Sequence, residues 1–148
     1  MTTLRQATVH DLDALAPLFA AYREFYDQPY DVARAYAFLA ERCRHHESIV
    51  FIAFDDEGAA IGFTQLYPGF SSVRATRAYL LNDLYVVPAV RRTGTAKRLL
   101  TAAAEFARAN GAASMSLTTA AGNSSAQRLY EALGWERDTG FYEYHLAL

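Results

Sequence analysis

Residues 86–97, Val-Val-Pro-Ala-Val-Arg-Arg-Thr-Gly-Thr-Ala-Lys, have the residue types and order to hold a phosphate. A β-type stretch over residues 83–87 ends at Pro88, and a helix opens at about Thr95. The first turn of a helix leaves backbone N–H groups without partners, and its dipole adds partial positive charge there. Arg91, Arg92 and Lys97 surround that turn with fixed charge, which suits an anionic ligand. An ordinary strand-to-helix turn with a solvated basic edge fits the same residues. The second chemically suggestive segment is 123–135, Asn-Ser-Ser-Ala-Gln-Arg-Leu-Tyr-Glu-Ala-Leu-Gly-Trp. At about 100° per residue, Ala126, Leu129 and Leu133 share a face expected to be buried, and Asn123, Gln127 and Tyr130 run along its edge. A tyrosine on such an edge keeps its ring in the core and offers its hydroxyl to a cleft. A packed tyrosine with no chemical role satisfies the same pattern.

These segments need a scaffold. The chain has 148 residues, 52% hydrophobic and 20% charged, consistent with a single globular domain over 1–148. A formal net charge of −2 argues against nucleic-acid binding, so the local basic patch suggests a small anion. Cys43 is the one cysteine, which rules out an intrachain disulfide and a cysteine-based zinc site and is consistent with a cytoplasmic setting. The four histidines, His10, His45, His46 and His145, lack metal-ligand spacing with acidic partners, so no metal is expected. Residues 1–14 carry Arg5, His10, Asp11 and Asp13 and no apolar core of a signal peptide. The longest apolar run, 49–54, is too short to cross a bilayer, so no membrane association is expected.

Residues 3–7 alternate as a first strand. Thr8 with Asp11 three residues on resembles a capping box, so a helix is expected from near Val9. Its apolar stripe is Leu12, Leu15, Phe19, Tyr22 and Tyr26, and Pro17 inside it should kink or shorten the helix. A second helix starts near Asp31, with Ala35, Phe38, Leu39 and Arg42 on one face. Strands are expected over 48–54 and 60–67 around a turn at 55–58, then a loop over 68–72 and a strand over 79–87. Ala96, Leu99, Leu100, Ala103, Ala104 and Ala107 line one stripe of the helix from Thr95, which stops at Asn110-Gly111. A strand over 114–118, a helix over 123–133, and closing strands over 135–137 and 141–148 complete the chain. The class is α/β (α+β), with a mixed, largely antiparallel sheet and helices packed on it.

Strand, Val-x-Pro-x-x-Arg-x-x-Gly-x-Ala, helix, strand, then Asn-x-x-Ala-x-x-Leu-Tyr-Glu-x-Leu-Gly-Trp resembles the GNAT superfamily of N-acetyltransferases. Arg91, Gly94 and Ala96 match the family's Arg/Gln-x-x-Gly-x-Gly/Ala signature, and the element order extends the likeness over nearly the whole chain. The resemblance implies a central sheet of about seven strands flanked by about four helices. It implies acetyl-CoA as acetyl donor, its pyrophosphate on the backbone amides of Arg92, Thr93, Gly94, Thr95, Ala96 and Lys97, with Arg91 alongside. The pantetheine arm would pair with the backbone of Leu84, Tyr85, Val86 and Val87, as a peptide adds to a strand edge. Asn123 matches a residue that contacts that arm, and Tyr130 matches the general acid that protonates the departing thiolate.

The implied reaction is direct attack of a primary amine on the thioester in a ternary complex, with an amine acceptor as partner. In the polyamine-acetylating branch a Glu-Asp pair precedes the strand end and the glutamate serves as base, whereas this chain has Asn82-Asp83. Asparagine takes no proton at neutral pH, which leaves Asp83, Glu24 or a water as base. Strand alternation puts Asn82 and Asp83 on opposite faces, so the exchange is not repaired next door. The acceptor is expected near Glu24, Tyr26, Tyr30 and Asn82, where aromatic rings beside carboxylates suit a cationic amine. A non-catalytic acyl-CoA-binding module is the alternative function, and the aromatic C-terminal strand leaves room for a homodimer. The acceptor's identity has no code in these segments.

Overall fold

The computed structural model describes residues 2–148, so Met1, first residue of the expected domain and N-terminal stretch, lies outside the described residues. Two compact units are present, one reaching to Thr118 and the other Thr119–Leu148. The first contains β1 (Thr3–Gln6), α1 (Leu12–Phe25), α2 (Val32–Arg44), β2 (Ile49–Phe54), β3 (Ala60–Ser71), β4 (Thr76–Val86), α3 (Thr95–Ala109) and β5 (Ala112–Ser116). Its sheet runs β1-β2-β3-β4-β5, antiparallel except for the β4–β5 pair. The second unit contains α4 (Ser124–Ala132).

Local chemistry accounts for most boundaries. Asp11 Oδ2 accepts from the Thr8 backbone N–H at 2.7 Å, completing the capping box before α1. The chain makes one 3-10 turn there, and α1 then runs unbroken through Pro17. Asp31 caps α2 through the Arg34 N–H at 2.9 Å. The β2–β3 turn closes on Asp55, whose Oδ1 accepts from the N–H groups of Glu57 and Ala59, with Gly58 at φ +83°. One face of the sheet buries Ile52 and Phe63 against Leu15, Phe19 and Leu39 of α1 and α2. The other buries Ala53, Ile61 and Val86 against Leu99 of α3. Burying a Leu or Phe side chain contributes about 1.5–3 kcal/mol, so these two layers hold β4 in place from both sides.

The structure corrects four expectations. Among the described residues the sheet has five strands, because residues 135–148 form no helix or strand. Apolar alternation makes a strand only where an edge and a face receive it, and Phe141, Tyr142 and Tyr144 are 85%, 92% and 89% exposed. Second, β3 continues through the expected loop at Pro68-Gly69-Phe70. The last β2 partner on β3 is Leu66, so Pro68 lies where β3 is an edge strand paired with β4 alone, a place that tolerates proline. Third, Ala126, Leu129 and Leu133 are half-buried, since among the described residues α4 is the one helix of its unit and has no strand there to pack on. The fourth concerns Asn82 and Asp83 and shapes the site.

Candidate active site

Gln65 of β3 pairs with Asp83 of β4, but the next residue, Leu66, pairs with Leu81. Asn82 is the extra residue of a β-bulge. The bulge reverses which side of the sheet the odd-numbered residues of β4 face. Before it, the Tyr79 ring meets Phe106 of α3; after it, the Tyr85 ring lies 6.5 Å from Phe63 in the α1/α2 layer. Strict alternation therefore fails at this point. Asn82 and Asp83 line the same cavity, and Asn82 Nδ2 donates to Asp83 Oδ1 at 2.8 Å.

That cavity, of about 450 Å³, lies within the first unit between α1, α2 and the bulge. Its aromatic walls are Phe19, Tyr22, Tyr26, Phe38 and Tyr67, and Arg23, Gln28 and Arg34 complete the lining with the bulge residues. The rings support one another: Phe19 stacks on Phe38 at 5.5 Å, and Tyr22 lies 5.1 Å from Tyr26. At the base is Asp83, 1% exposed. Its Oδ2 accepts a hydrogen bond from Gln65 Nε2, and Thr64 Oγ1 donates to its backbone carbonyl at 2.8 Å. Burial pushes the Asp83 carboxyl above the usual carboxylate range, partly offset by hydrogen bonds from Gln65, Asn82 and Tyr22. The Tyr22 hydroxyl also donates to the Asn82 carbonyl at 3.2 Å. Burial, then the Asp83 charge, raises the Tyr22 phenol, and the same two causes push Tyr67 up to about 12. Both phenols stay protonated at neutral pH, and the Tyr67 hydroxyl can donate a hydrogen bond into the cavity.

Past this cavity β4 lies open along one edge. Its pairing with β5 covers only Arg77 to Leu80, so residues 81–86 have β3 on one side and no strand on the other among the described residues. Leu84, Tyr85 and Val86 are on this open stretch, and the Val87 N–H bonds the Ile61 carbonyl at 2.9 Å. Arg91 folds back, donating from Nε to the Val86 carbonyl at 2.9 Å with its guanidinium 5.7 Å from the Tyr85 ring centroid. The turn into α3 has Arg92 at φ +64° and Gly94 at φ +87°, left-handed conformations on either side of Thr93. Successive N–H groups in such a turn converge on one point. Gly94 provides no side-chain cap to α3, and no acidic residue occupies the first turn. The N–H groups of Thr95, Ala96 and Lys97 thus start a helix with no side chain competing for them.

Of the expected acceptor residues, Tyr26 and Asn82 line the cavity with Asp83; Glu24 and Tyr30 are exposed and do not. Sequence reasoning did not single out Arg23, Arg34 or Gln65. The α1 spacing of Phe19, Tyr22 and Tyr26 carried a signal for Arg23 at the stripe's edge; Gln65 carried none. In the second unit, Asn123 Oδ1 caps α4 through the Ala126 N–H at 3.2 Å. The Tyr130 ring lies 6.1 Å from Trp135, and Gly134 ends the helix at φ +92°. Among the described residues, no group of three His, Cys, Asp or Glu side chains is placed to hold a metal, and no helix is long and apolar enough to cross a membrane.

Comparison with known proteins agrees with this arrangement. The model of the acetyltransferase (GNAT) family matches residues 13–135. An uncharacterized N-acetyltransferase of Bacillus subtilis (strain 168) is 52% identical over 143 residues, covering 97% of this chain and 95% of that protein. A probable acetyltransferase of Haemophilus influenzae is 38% identical over 103 residues, 70% of each chain. The crystal structure of a probable acetyltransferase superposes with a TM-score of 0.93 at 41% identity, covering 99% of this chain and 97% of that one. An aminoglycoside N-acetyltransferase crystallised with CoA shares the fold, with a TM-score of 0.82 at 23% identity over 100% of this chain and 96% of its own. The chain belongs to the GNAT family of acetyltransferases.

Proposed function

We propose that this protein, acting as one domain over 1–148, transfers the acetyl group of acetyl-CoA to a primary amine by direct attack in a ternary complex. The observation that carries this reading is the bulge at Asn82, which puts a buried carboxylate into an aromatic cavity beside an open strand edge. The anion cradle at Arg92 to Lys97 suits the donor's pyrophosphate, and the fit is supported by the two left-handed residues and the uncapped helix start. The open edge of β4 at Leu84 to Val86 suits an amide-bearing arm, which would add to it as a further strand. Arg91 has a supporting role in this reading, since its Nε is engaged with the Val86 carbonyl.

The roles then follow from chemistry. An amine reaching the cavity as an ammonium ion finds cation–π surfaces in Tyr22, Tyr26 and Phe38 and a carboxylate in Asp83. Asp83 accepts the amine proton, and its raised pKa brings it nearer to the pH at which a base is effective. The free amine attacks the thioester carbonyl carbon; the C–N bond forms, negative charge collects on oxygen, the nitrogen gives its second proton to water, and the C–S bond breaks as the carbonyl re-forms. A backbone N–H near Tyr85 to Val87 steadies that oxygen. Tyr130 protonates the leaving thiolate, a role carried by its match to the family motif, and Asn123 is assigned to the donor's arm on the same ground. Asn82 shapes the acceptor site and orients Asp83 through its amide. Glu24 and Tyr30, exposed outside the cavity, are weaker candidates for acceptor contacts.

The test is release of free thiol from acetyl-CoA across antibiotics, polyamines, amino acids and protein amines, with protein-free controls. Acceptor-dependent release supports the reading. Donor binding with no release for any amine opposes it.

A further inference from the structure

The cavity around Asp83 has an unusual balance of charge for a site that receives amines. Its lining residues include one acid, Asp83, and two arginines, Arg23 and Arg34. Among the described residues, neither arginine side chain is ion-paired to a carboxylate. Their neighbour Arg42 differs, being paired with Glu41 at 3.3 Å and Glu47 at 3.1 Å. Asp31, the carboxylate nearest Arg34 in sequence, is used by α2 as a cap, accepting from the Arg34 backbone N–H. Arg23 and Arg34 therefore bring to the cavity positive charge that no ion pair among the described residues holds.

The charge sum decides between classes of acceptor. With Asp83 ionised, the lining totals one negative and two positive charges, a net charge of +1 from these three residues. With Asp83 protonated, the excess of positive charge is larger. In either state a second or third ammonium on the acceptor meets guanidinium groups instead of carboxylates, and like charges in proximity are disfavoured. A carboxylate meets a guanidinium fork, which matches its geometry in a bidentate way. The five aromatic rings favour an apolar or aromatic body between the two charged ends.

We propose that the acceptor is a zwitterionic amino carboxylate, its ammonium directed to Asp83 and its carboxylate to Arg23 and Arg34. This rests on the reading of the Asp83 cavity as the acceptor site. Polyamines and aminoglycosides, which carry several ammonium groups and no carboxylate, are the acceptors it disfavours. Arg23 and Arg34 act here as specificity determinants and take no part in the transfer step.

The test reads binding, so it stands apart from turnover. Isothermal titration of the full chain compares phenylalanine, phenylalaninamide and spermidine as probes. Phenylalanine is expected to bind at least ~10-fold more tightly than either, since a hydrogen bond to a charged group is worth about a tenfold factor or more. The Arg23→Gln/Arg34→Gln double variant is expected to erase that preference with its thermal midpoint and its CoA affinity unchanged. Tighter or equal binding of the amide or of spermidine overturns the proposal, as does undetectable binding of phenylalanine. Preferential binding without acetylation leaves it standing and tells against the transferase reading instead.

Discussion

Replacing Asp83 with asparagine separates a chemical role from a structural one, because the hydrogen bonds around that residue allow it. The carboxylate accepts from Gln65 Nε2 and Asn82 Nδ2, and from a Tyr22 hydroxyl that it shares with the Asn82 carbonyl. Asp83→Asn leaves one acceptor oxygen and turns the other into a donor, which by itself faces an unmatched donor at a cost of about 1–3 kcal/mol. Gln65 Oε1, however, is buried with no hydrogen-bond partner. A flip of the Gln65 amide presents that oxygen to the new N–H group, and one orphan polar atom is exchanged for another. The burial of a charge is removed at the same time. Asp83's raised pKa means that its contribution to stability declines as pH rises above the ordinary value of 3.8, so the neutral amide is no worse than the carboxylate at pH 7. The net expectation is a stability change within about 1 kcal/mol, or a midpoint shift below about 4 °C for a chain of this length. Turnover, in contrast, falls by roughly 10² to 10⁴, equivalent to about 3–5 kcal/mol of barrier. Thiol release with the best acceptor and a thermal melt of the same sample read both quantities. Unchanged turnover refutes the base assignment, and a midpoint loss beyond about 8 °C refutes the hydrogen-bond reasoning.

Further predictions test other parts of the account. Tyr130→Phe should lower kcat by roughly 10² to 10⁴ with CoA affinity unchanged, because only a hydroxyl that acts in the transition state is lost; full activity would remove Tyr130 from the acid role. Arg92→Glu should weaken CoA binding ~10-fold or more by calorimetry, and less at high salt, since it reverses charge at the anion cradle; wild-type affinity would contradict the cradle. Asp11, held down to about 2 from 3.8 by the Arg5 guanidinium, contributes stability that is present above pH 4 and lost as pH falls toward 2. Thermal midpoints of Asp11→Asn should therefore vary less than wild type across that window, and parallel curves would show that the pair is not responsible.

How much of this was legible in the chain depended on the range of the physics involved. Features that close within a few residues were readable: the Thr8–Asp11 capping box, the Asp31 cap, the turn at Asp55 to Gly58, and the glycine turn into α3. Features set by a partner strand were not. Whether Pro68 lies in a strand depends on where β2 stops, and whether 141–148 forms a strand depends on an edge to receive it. The bulge at Asn82 is the clearest case, because one unpaired residue leaves no mark in composition yet decides which way Asp83 points. The helical spacing of Phe19, Tyr22 and Tyr26 made part of the cavity wall visible, but Arg34 joins it only through the packing of α2, and Gln65 reaches Asp83 only through the pairing of β3 with β4.

The central claim is that acetyl passes from the donor straight to an amine while both are bound. Initial velocities measured over a grid of acetyl-CoA and acceptor concentrations, with the acetylated amine quantified by mass spectrometry, test it most directly. The account predicts an N-acetylated amine formed in equal amount to free CoA, with reciprocal plots that intersect. Parallel plots would indicate an acetylated protein on the path, and donor binding without any acetylated amine would indicate a module that holds the donor and does no transfer; either result contradicts the account.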